Sequence, residues 1–390
     1  MSDPFRIAVI ATKYARLTHA DVIVTRWLEP FPGDRAIGWQ PRTKIVSMYV
    51  VQTSEDDISE DLCSRFGVAR FSSVSAALTL GGDRLAVDGI LLIGEHGDFP
   101  CNEFGQKLYP RKELFDQVVE VFRRSGKVVP LFFDKHLSWN MRWAHEMYWV
   151  IKDMEIPFFG GSSLPHSAMI PPVSFPVAPT DCSEVVMIYW NSLEAYLFHS
   201  LEIAASVMGN AGLDHCGISS VMAWKEQAVW DALDVGAFSW PLLQAAAASV
   251  SQEALEKIRA FRFERGSPTC AFQIQLQNGV KITCFMQTDL IRKWCLAFES
   301  KNLDRIEAAY VDTGGQDRGF PHFGILDCRI EEFFLTGVSP VPLDRLYSST
   351  MVTALCMHAL TEPGRCIPTP WLCLPVDRAW SGENAMMNLE

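Results

Sequence analysis

The chain has 390 residues, 48% hydrophobic and 21% charged, with a net charge of −12. That length is too great for one ordinary core and predicts two domains. The acidic balance excludes a basic nucleic-acid surface, and no apolar run approaches the length of a membrane span. Eleven scattered cysteines without a CxxC pair point to reduced thiols and a cytoplasmic setting. The start, MSDPFRIAVIATKYA, has no apolar h-region, so no signal peptide is expected.

In chain order, Phe5–Ile10 reads as a first strand, and Ala20, Ile23, Val24 and Trp27 have helical spacing. Pro32 and Gly33 break the chain before a second strand, Lys44–Val51. Ile58, Leu62 and Phe66 mark a short helix and Val74–Leu80 another. Gly89–Ile93 is an unbroken apolar strand of the kind buried on both faces. A helix follows over Arg111–Arg124, then a strand over Val128–Phe133. Next come a helix from Ser138, an N-cap candidate, to Asp153 and a strand at Pro157–Gly161. This alternation predicts an α/β fold with an N-terminal Rossmann-like, doubly wound parallel sheet over residues 1–165.

Pro165, Pro171, Pro172, Pro176 and Pro179 crowd the next stretch and mark a domain boundary. Beyond it, Glu184–Tyr189 is a strand and Leu193–Met208 a helix closed by Gly209. Phe272–Leu276 and Val280–Phe285 read as a hairpin around Asn278-Gly279. Residues 166–340 are therefore predicted as a C-terminal α+β domain with a largely antiparallel sheet. Residues 341–390 are predicted as a tail packing on the body.

Open parallel sheets bind ligands outside the carboxyl ends of their strands. Glu95, His96 and Asp98 follow one buried strand here, and Asp134, Lys135 and His136 end the next. Lys135 is the strongest single candidate, placed to donate to a substrate oxygen or a ribose. Asp134 and His136 would point to the opposite side if strand alternation persists. Glu95 and Asp98 flank His96, an arrangement suited to general-base work or metal ligation. With His166 after the following strand, Glu95 and His96 make a candidate zinc or manganese site. His199 lies on an apolar helix with Glu202 three residues on. No GxSxG elbow is present.

A dinucleotide fold expects GxGxxG after its first strand. This chain has Ala11-Thr12-Lys13-Tyr14-Ala15 there, and Gln52 where an acid should take the ribose hydroxyls. Thr12 and Lys13 remain as side chains to grip a phosphate, and Glu95 and Asp134 as further cofactor contacts.

The stretch GKVVPLFFDKHLS resembles the EKP-type motif of the Gfo/Idh/MocA oxidoreductases, with Asp134-Lys135-His136 in place of Glu-Lys-Pro. The helix carrying FHSLEIAASVMG resembles that family's histidine-containing helix, with Glu194 or Ala195 near its usual aspartate. The likeness covers the two-domain layout and the first 210 residues. It implies NAD or NADP and hydride transfer on a small hydroxylated, sugar- or polyol-like substrate. Lys135 would assist hydroxyl deprotonation, and His199 would relay the proton. It also implies a homo-oligomer paired through the antiparallel sheet. The missing glycines leave open an NAD-independent lyase, hydrolase or isomerase, metal-assisted or acid/base, that uses Glu95, His96 and His166. A non-catalytic binding protein is the third possibility.

Overall fold

A computed structural model describes residues 4–376, apart from 30, 32–37, 177–180, 214, 268 and 316–319. The predicted break at Pro32 and Gly33, Pro179, and the tail beyond 376 lie outside the described residues. The chain divides into two compact units, each built from separate segments. One comprises Met1–Pro100, Leu108–His166 and Thr313–Leu343; the other comprises Cys101–Lys107, Ser167–Asp312 and Asp344–Glu390.

The first unit alternates strand and helix: β1 (Arg6–Lys13), α1 (His19–Leu28), β2 (Lys44–Gln52), α2 (Ser59–Phe66), β3 (Ala69–Arg70), α3 (Val74–Thr79), β4 (Gly89–Ile93), α4 (Arg111–Ser125), β5 (Leu131–Asp134), α5 (Met141–Asp153) and β6 (Phe158–Gly161). The six strands are parallel in the order β3-β2-β1-β4-β5-β6, the order of dinucleotide-binding sheets. Every residue of β4 is buried, because strands pair on both its edges and its apolar side chains fill both faces. The strand predicted from Val128 begins only at Leu131. Pro130 has no N–H to add to a ladder, though its carbonyl accepts from Ile90 N at 3.0 Å. The predicted cap Ser138 is displaced by Asn140, whose side chain accepts from Trp143 N. Ser138 Oγ instead accepts from Asn140 N at 3.1 Å.

The second unit holds β7 (Ala168–Ile170), β8 (Glu184–Trp190), α6 (Leu193–Met208), β9 (Ile218–Lys225), α7 (Gln227–Asp234), α8 (Trp240–Val250), α9 (Gln252–Phe263), β10 (Thr269–Leu276), β11 (Lys281–Gln287), β12 (Cys295–Ser300) and β13 (Arg305–Asp312). After these, α10 (Pro321–Thr336) belongs to the first unit, where Phe323, Leu326, Ile330 and Phe333 join the core with Ile7, Val9 and Ile23. The chain then closes the second unit with α11 (Leu343–Ala359) and β14 (Ile367–Pro368). Its sheet runs β14-β9-β10-β11-β8-β12-β13-β7, with β8 and β11 parallel and every other pair antiparallel. The hairpin β10–β11 turns through Asn278-Gly279, with Gly279 at φ +91°.

Within the predicted tail, residues 344–359 belong to the almost wholly buried helix α11 of the second unit. Side chains on both faces of the second sheet are packed. On one face Val186, Ile188, Phe285 and Ala297 pack with α7 and α8. On the other, Tyr189 and Cys284 meet Cys356 of α11. Among the described residues, no helix is long and apolar enough to cross a membrane.

Candidate functional site

The carboxyl ends of β1, β4 and β5 gather a buried network of charged and imidazole side chains. Glu95, just past β4, is 6% exposed and accepts from Arg111 Nη2 at 2.5 Å, while Lys135 Nζ lies 4.0 Å from its other oxygen. Burial, the largest single influence, raises the pKa of Glu95. The combined pull of Lys135, Arg111, His19 and His96 outweighs it and holds the carboxyl below the usual carboxylate range. Arg111 opens α4 with its guanidinium drawn inward, where its Nη1 also meets His136 Nε2 at 3.0 Å. A guanidinium can only donate, so Nε2 is the accepting nitrogen and Nδ1–H donates to Ser138 O at 3.1 Å. His136 is thus a neutral imidazole of fixed tautomer, and burial pushes its pKa well below the ordinary value.

Two residues that open the site sit at positive φ: His96 at +69° and Lys135 at +73°. Such non-glycine positions cost on the order of 1–3 kcal/mol and concentrate at functional sites. At Lys135 the left-handed turn ends the strand alternation. His136 therefore joins the Lys135 network through Arg111 instead of pointing away from it. Asp134 is 2% exposed and accepts from or pairs with His19 Nδ1 at 2.7 Å. Lys135 is also 2% exposed, and its pKa is lowered, first by burial, against the pull of Glu95 and Asp134. His96 Nε2 is buried without a hydrogen-bond partner among the described residues. Burial first, and then the charge of His19, push its pKa down to about 4. The basicity expected from its flanking acids is therefore not realised. Glu95 turns to Arg111, and Asp98 is solvent-exposed.

Sequence reasoning missed His19 and Arg111. Each opens a helix that follows a strand, and Thr18-His19 at the start of α1 was the available signal. Among the described residues no group of three His, Cys, Asp or Glu side chains is placed to hold a metal ion. The predicted metal set of Glu95, His96 and His166 is not assembled, because Glu95 is committed to Arg111 and Lys135, while His166 packs edge-on against Phe159. His199 belongs to the second unit, 5% exposed and edge-on to Trp294 and Tyr196. Glu202, its expected partner, accepts from Ser349 Oγ at 2.6 Å and lies 3.7 Å from Arg345 Nε, both on α11.

The β1–α1 turn does not fit a pyrophosphate. Thr12 is fully buried and its hydroxyl donates to Glu95 O at 2.7 Å, so it has no hydrogen left for a phosphate. Lys13 pairs with Asp56 at 2.9 Å. Tyr14 fills the place of a glycine with a buried ring whose hydroxyl meets Thr25 at 2.9 Å. The first turn of α1, where a helix favours an anion, already holds the buried Asp21 carboxylate. It accepts from Leu17 N at 2.9 Å and Arg16 Nη1 at 3.2 Å. A second anion there would meet a like charge. Finally, Gln52 at the end of β2 exchanges two hydrogen bonds with the Asp98 backbone, at 2.7 and 2.9 Å. That link joins β2 to the loop after β4, the two neighbours of β1 in the sheet, where a dinucleotide would cross.

The chain matches no protein-family profile and no curated protein sequence. Solved structures do share its architecture. Apo scyllo-inositol dehydrogenase from Lactobacillus casei superposes with a TM-score of 0.58 at 10% identity, covering 94% of this chain and 99% of that one. GenD2 from gentamicin A biosynthesis, solved in complex with NAD, gives 0.57 at 11% identity over 94% and 97%. A myo-inositol dehydrogenase from Corynebacterium glutamicum gives 0.55 at 12% identity over 94% and 99%. The fold is that of the Gfo/Idh/MocA dehydrogenases. The predicted Rossmann-like unit and mixed, largely antiparallel second sheet are both present.

The buried histidines set a pH dependence. His96 and His322 have folded pKa values of about 4 and about 3, chiefly through burial, against 6.5 for the free group. Below pH 6.5 the unfolded chain binds protons that the folded one refuses, so stability falls with pH. The loss is up to about 1.4 kcal/mol per pH unit for each histidine until its folded pKa is reached. Glu95, with a depressed pKa, adds its own loss only below about 4.5. Urea midpoints should therefore drop between pH 6.5 and 4.5; a flat profile there would contradict the neutral assignment.

Proposed function

We propose that the protein is an enzyme that performs acid–base chemistry on a small hydroxylated, sugar- or polyol-like molecule, with Lys135 at the reacting oxygen. The observation that carries this reading is the pair His96 and Lys135. Both are non-glycine residues at positive φ just past adjacent strands, and His96 Nε2 lacks a partner among the described residues. A buried lysine with a lowered pKa stabilises an oxyanion and exchanges its proton readily. A neutral imidazole beside it can hydrogen-bond a substrate hydroxyl without adding charge. The substrate class takes support from the shared fold, since two of the structures named above are inositol dehydrogenases.

The reaction that fits these groups is proton abstraction beside a carbonyl, the first step of an isomerase or lyase. Lys135 would hold the oxygen on which charge develops. Incubation with ketoses, aldoses and ketone derivatives of cyclic polyols in D2O, followed by proton NMR, tests it. Enzyme-dependent loss of the C–H signal next to the carbonyl is expected. No exchange across such a panel would remove the reading.

A second reading, an NAD(P)-dependent oxidoreductase, is favoured by the dehydrogenase fold. Against it stands the β1–α1 turn, with its inward Tyr14 and its resident Asp21 carboxylate. Calorimetric titration with NADH and NADPH separates the two. We expect no binding tighter than about 1 mM, equivalent to about 4 kcal/mol. A micromolar dissociation constant would restore the oxidoreductase.

A further inference from the structure

We infer that His19, aligned by Asp134, is the base that takes the substrate proton in this site. The inference rests on the reading of the Lys135 site as catalytic. His19 opens α1, and its Nδ1 lies 2.7 Å from Asp134 Oδ2, the side chain immediately before Lys135. The carboxylate is 3% exposed and the imidazole 14%, so the pair is buried at the acid and open at the base. An ionised carboxylate only accepts, so Nδ1 carries the hydrogen and the lone pair resides on Nε2. No hydrogen-bond partner for Nε2 occurs among the described residues.

The surroundings hold the ring in place. It stands edge-on to Phe323, with centroids 5.1 Å apart, and 5.2 Å from the His96 ring. Glu95 and His96 each feel the charges of both His19 and Lys135, which puts acid and base in one cluster. The other imidazoles nearby are less suited to the task. His136 has both nitrogens engaged, by Arg111 and Ser138. His96 is held neutral by burial with its pKa at about 4, and His322 offers Nδ1 to Thr313 O. Glu95 is committed to its two cations. His19 alone among these combines an orienting carboxylate with an open nitrogen, the arrangement that makes a histidine a general base.

In the step itself, the C–H bond beside the substrate carbonyl breaks and its proton forms an N–H bond at Nε2. The electron pair moves to the carbonyl oxygen, giving an enolate beside the Lys135 ammonium. The new imidazolium is stabilised by Asp134, and its proton returns to the substrate carbon or a leaving hydroxyl. Asp134 acts through His19 and is a positioning residue.

Two measurements on the full-length protein test this. Diethyl pyrocarbonate acylates neutral imidazole nitrogens, and peptide mass mapping gives a rate for each histidine. His19 should react at least about ten-fold faster than His96 and His136, and Asp134→Asn should slow it by about ten-fold as the tautomer is released. An unreactive His19, or a rate unchanged in D134N, overturns the dyad whatever the substrate. Deuterium exchange on the ketose panel then addresses the role. His19→Gln should lose exchange by about 10²–10⁴-fold with little change in KM, and D134N should lose part of it. If H19Q exchanges like wild type while Lys135→Met does not, His19 is not the base and the Lys135 reading stands. If wild type itself exchanges nothing, that reading fails, and with it the catalytic role, while the acylation rates alone judge the dyad.

Discussion

Arg111→Met should lower the stability of the protein by about 3–5 kcal/mol, the usual consequence of removing one partner from a buried ion pair. Arg111 is 1% exposed and serves two buried acceptors, Glu95 Oε2 at 2.5 Å and His136 Nε2 at 3.0 Å. Its guanidinium also lies 4.8 Å from the Tyr109 ring centroid. Without it, Glu95 keeps Lys135 at 4.0 Å, and His136 Nε2 loses the guanidinium that donates to it. Gly94 belongs to the same arrangement, since a Cβ there would lie 2.8 Å from Arg111 Cγ. Arg111→Lys should recover little, because one ammonium cannot reproduce the planar fork that reaches both acceptors. Urea denaturation reads the effect as a lower midpoint with unchanged slope. Combining Arg111→Met with Glu95→Gln should cost clearly less than the two single changes summed, because the second change removes the stranded charge. Strict additivity would show that the pair is not coupled and would sink the network described here.

How much of this was legible in the sequence depends on the range of the interaction. The GILLI run announces β4 at its observed bounds, because a strand enclosed on both faces needs no polar residue. Leu193–Met208 is equally plain, since Gly209 closes the helix at a positive φ of +52°, which glycine adopts without strain. The helices α7 to α9 and α10 went unread. Helix α8 is nearly apolar all round and shows no stripe, and α10 joins a core whose strands lie some 160 residues or more earlier in the chain. The same split governs the site. Glu95, His96 and Lys135 could be picked out because charged residues directly after buried strands fall at the carboxyl edge of a parallel sheet. Where each side chain turns could not, because it is decided by partners far away: Asp134 by His19, 115 residues distant, and Thr12 by the Glu95 carbonyl, 83 residues distant. The left-handed turn at Lys135, which gathers His136 into the Lys135 network, breaks the alternation rule from which the opposite placement was predicted.

Lys135→Met should abolish turnover while leaving the fold intact, with the rate falling by about 10²–10⁴-fold on whatever substrate the wild type accepts. The side chain is 2% exposed, and burial lowers its pKa against the pull of Glu95 and Asp134. It therefore gains little net stability from ionisation, and methionine of similar length can fill the same volume. Replacing a buried charge by a well-packed apolar side chain is often neutral or stabilising. Glu95 retains Arg111 at 2.5 Å, which limits the damage to the acid left behind. The backbone strain at φ +73° is the same for either residue, so it cancels in the comparison. Loss of the ammonium removes the donor at the developing oxyanion, an interaction strongest in the transition state, so kcat should fall much more than KM rises. Lys135→Arg is the sharper control. It keeps the charge but cannot give up a proton, and its larger head must fit beside Arg111. If the lysine only balances Glu95, the arginine variant should be active. If its proton is exchanged during turnover, the arginine variant should be nearly as slow as the methionine one. Full activity in Lys135→Met, with the protein folded by circular dichroism, would show that the chemistry lies elsewhere.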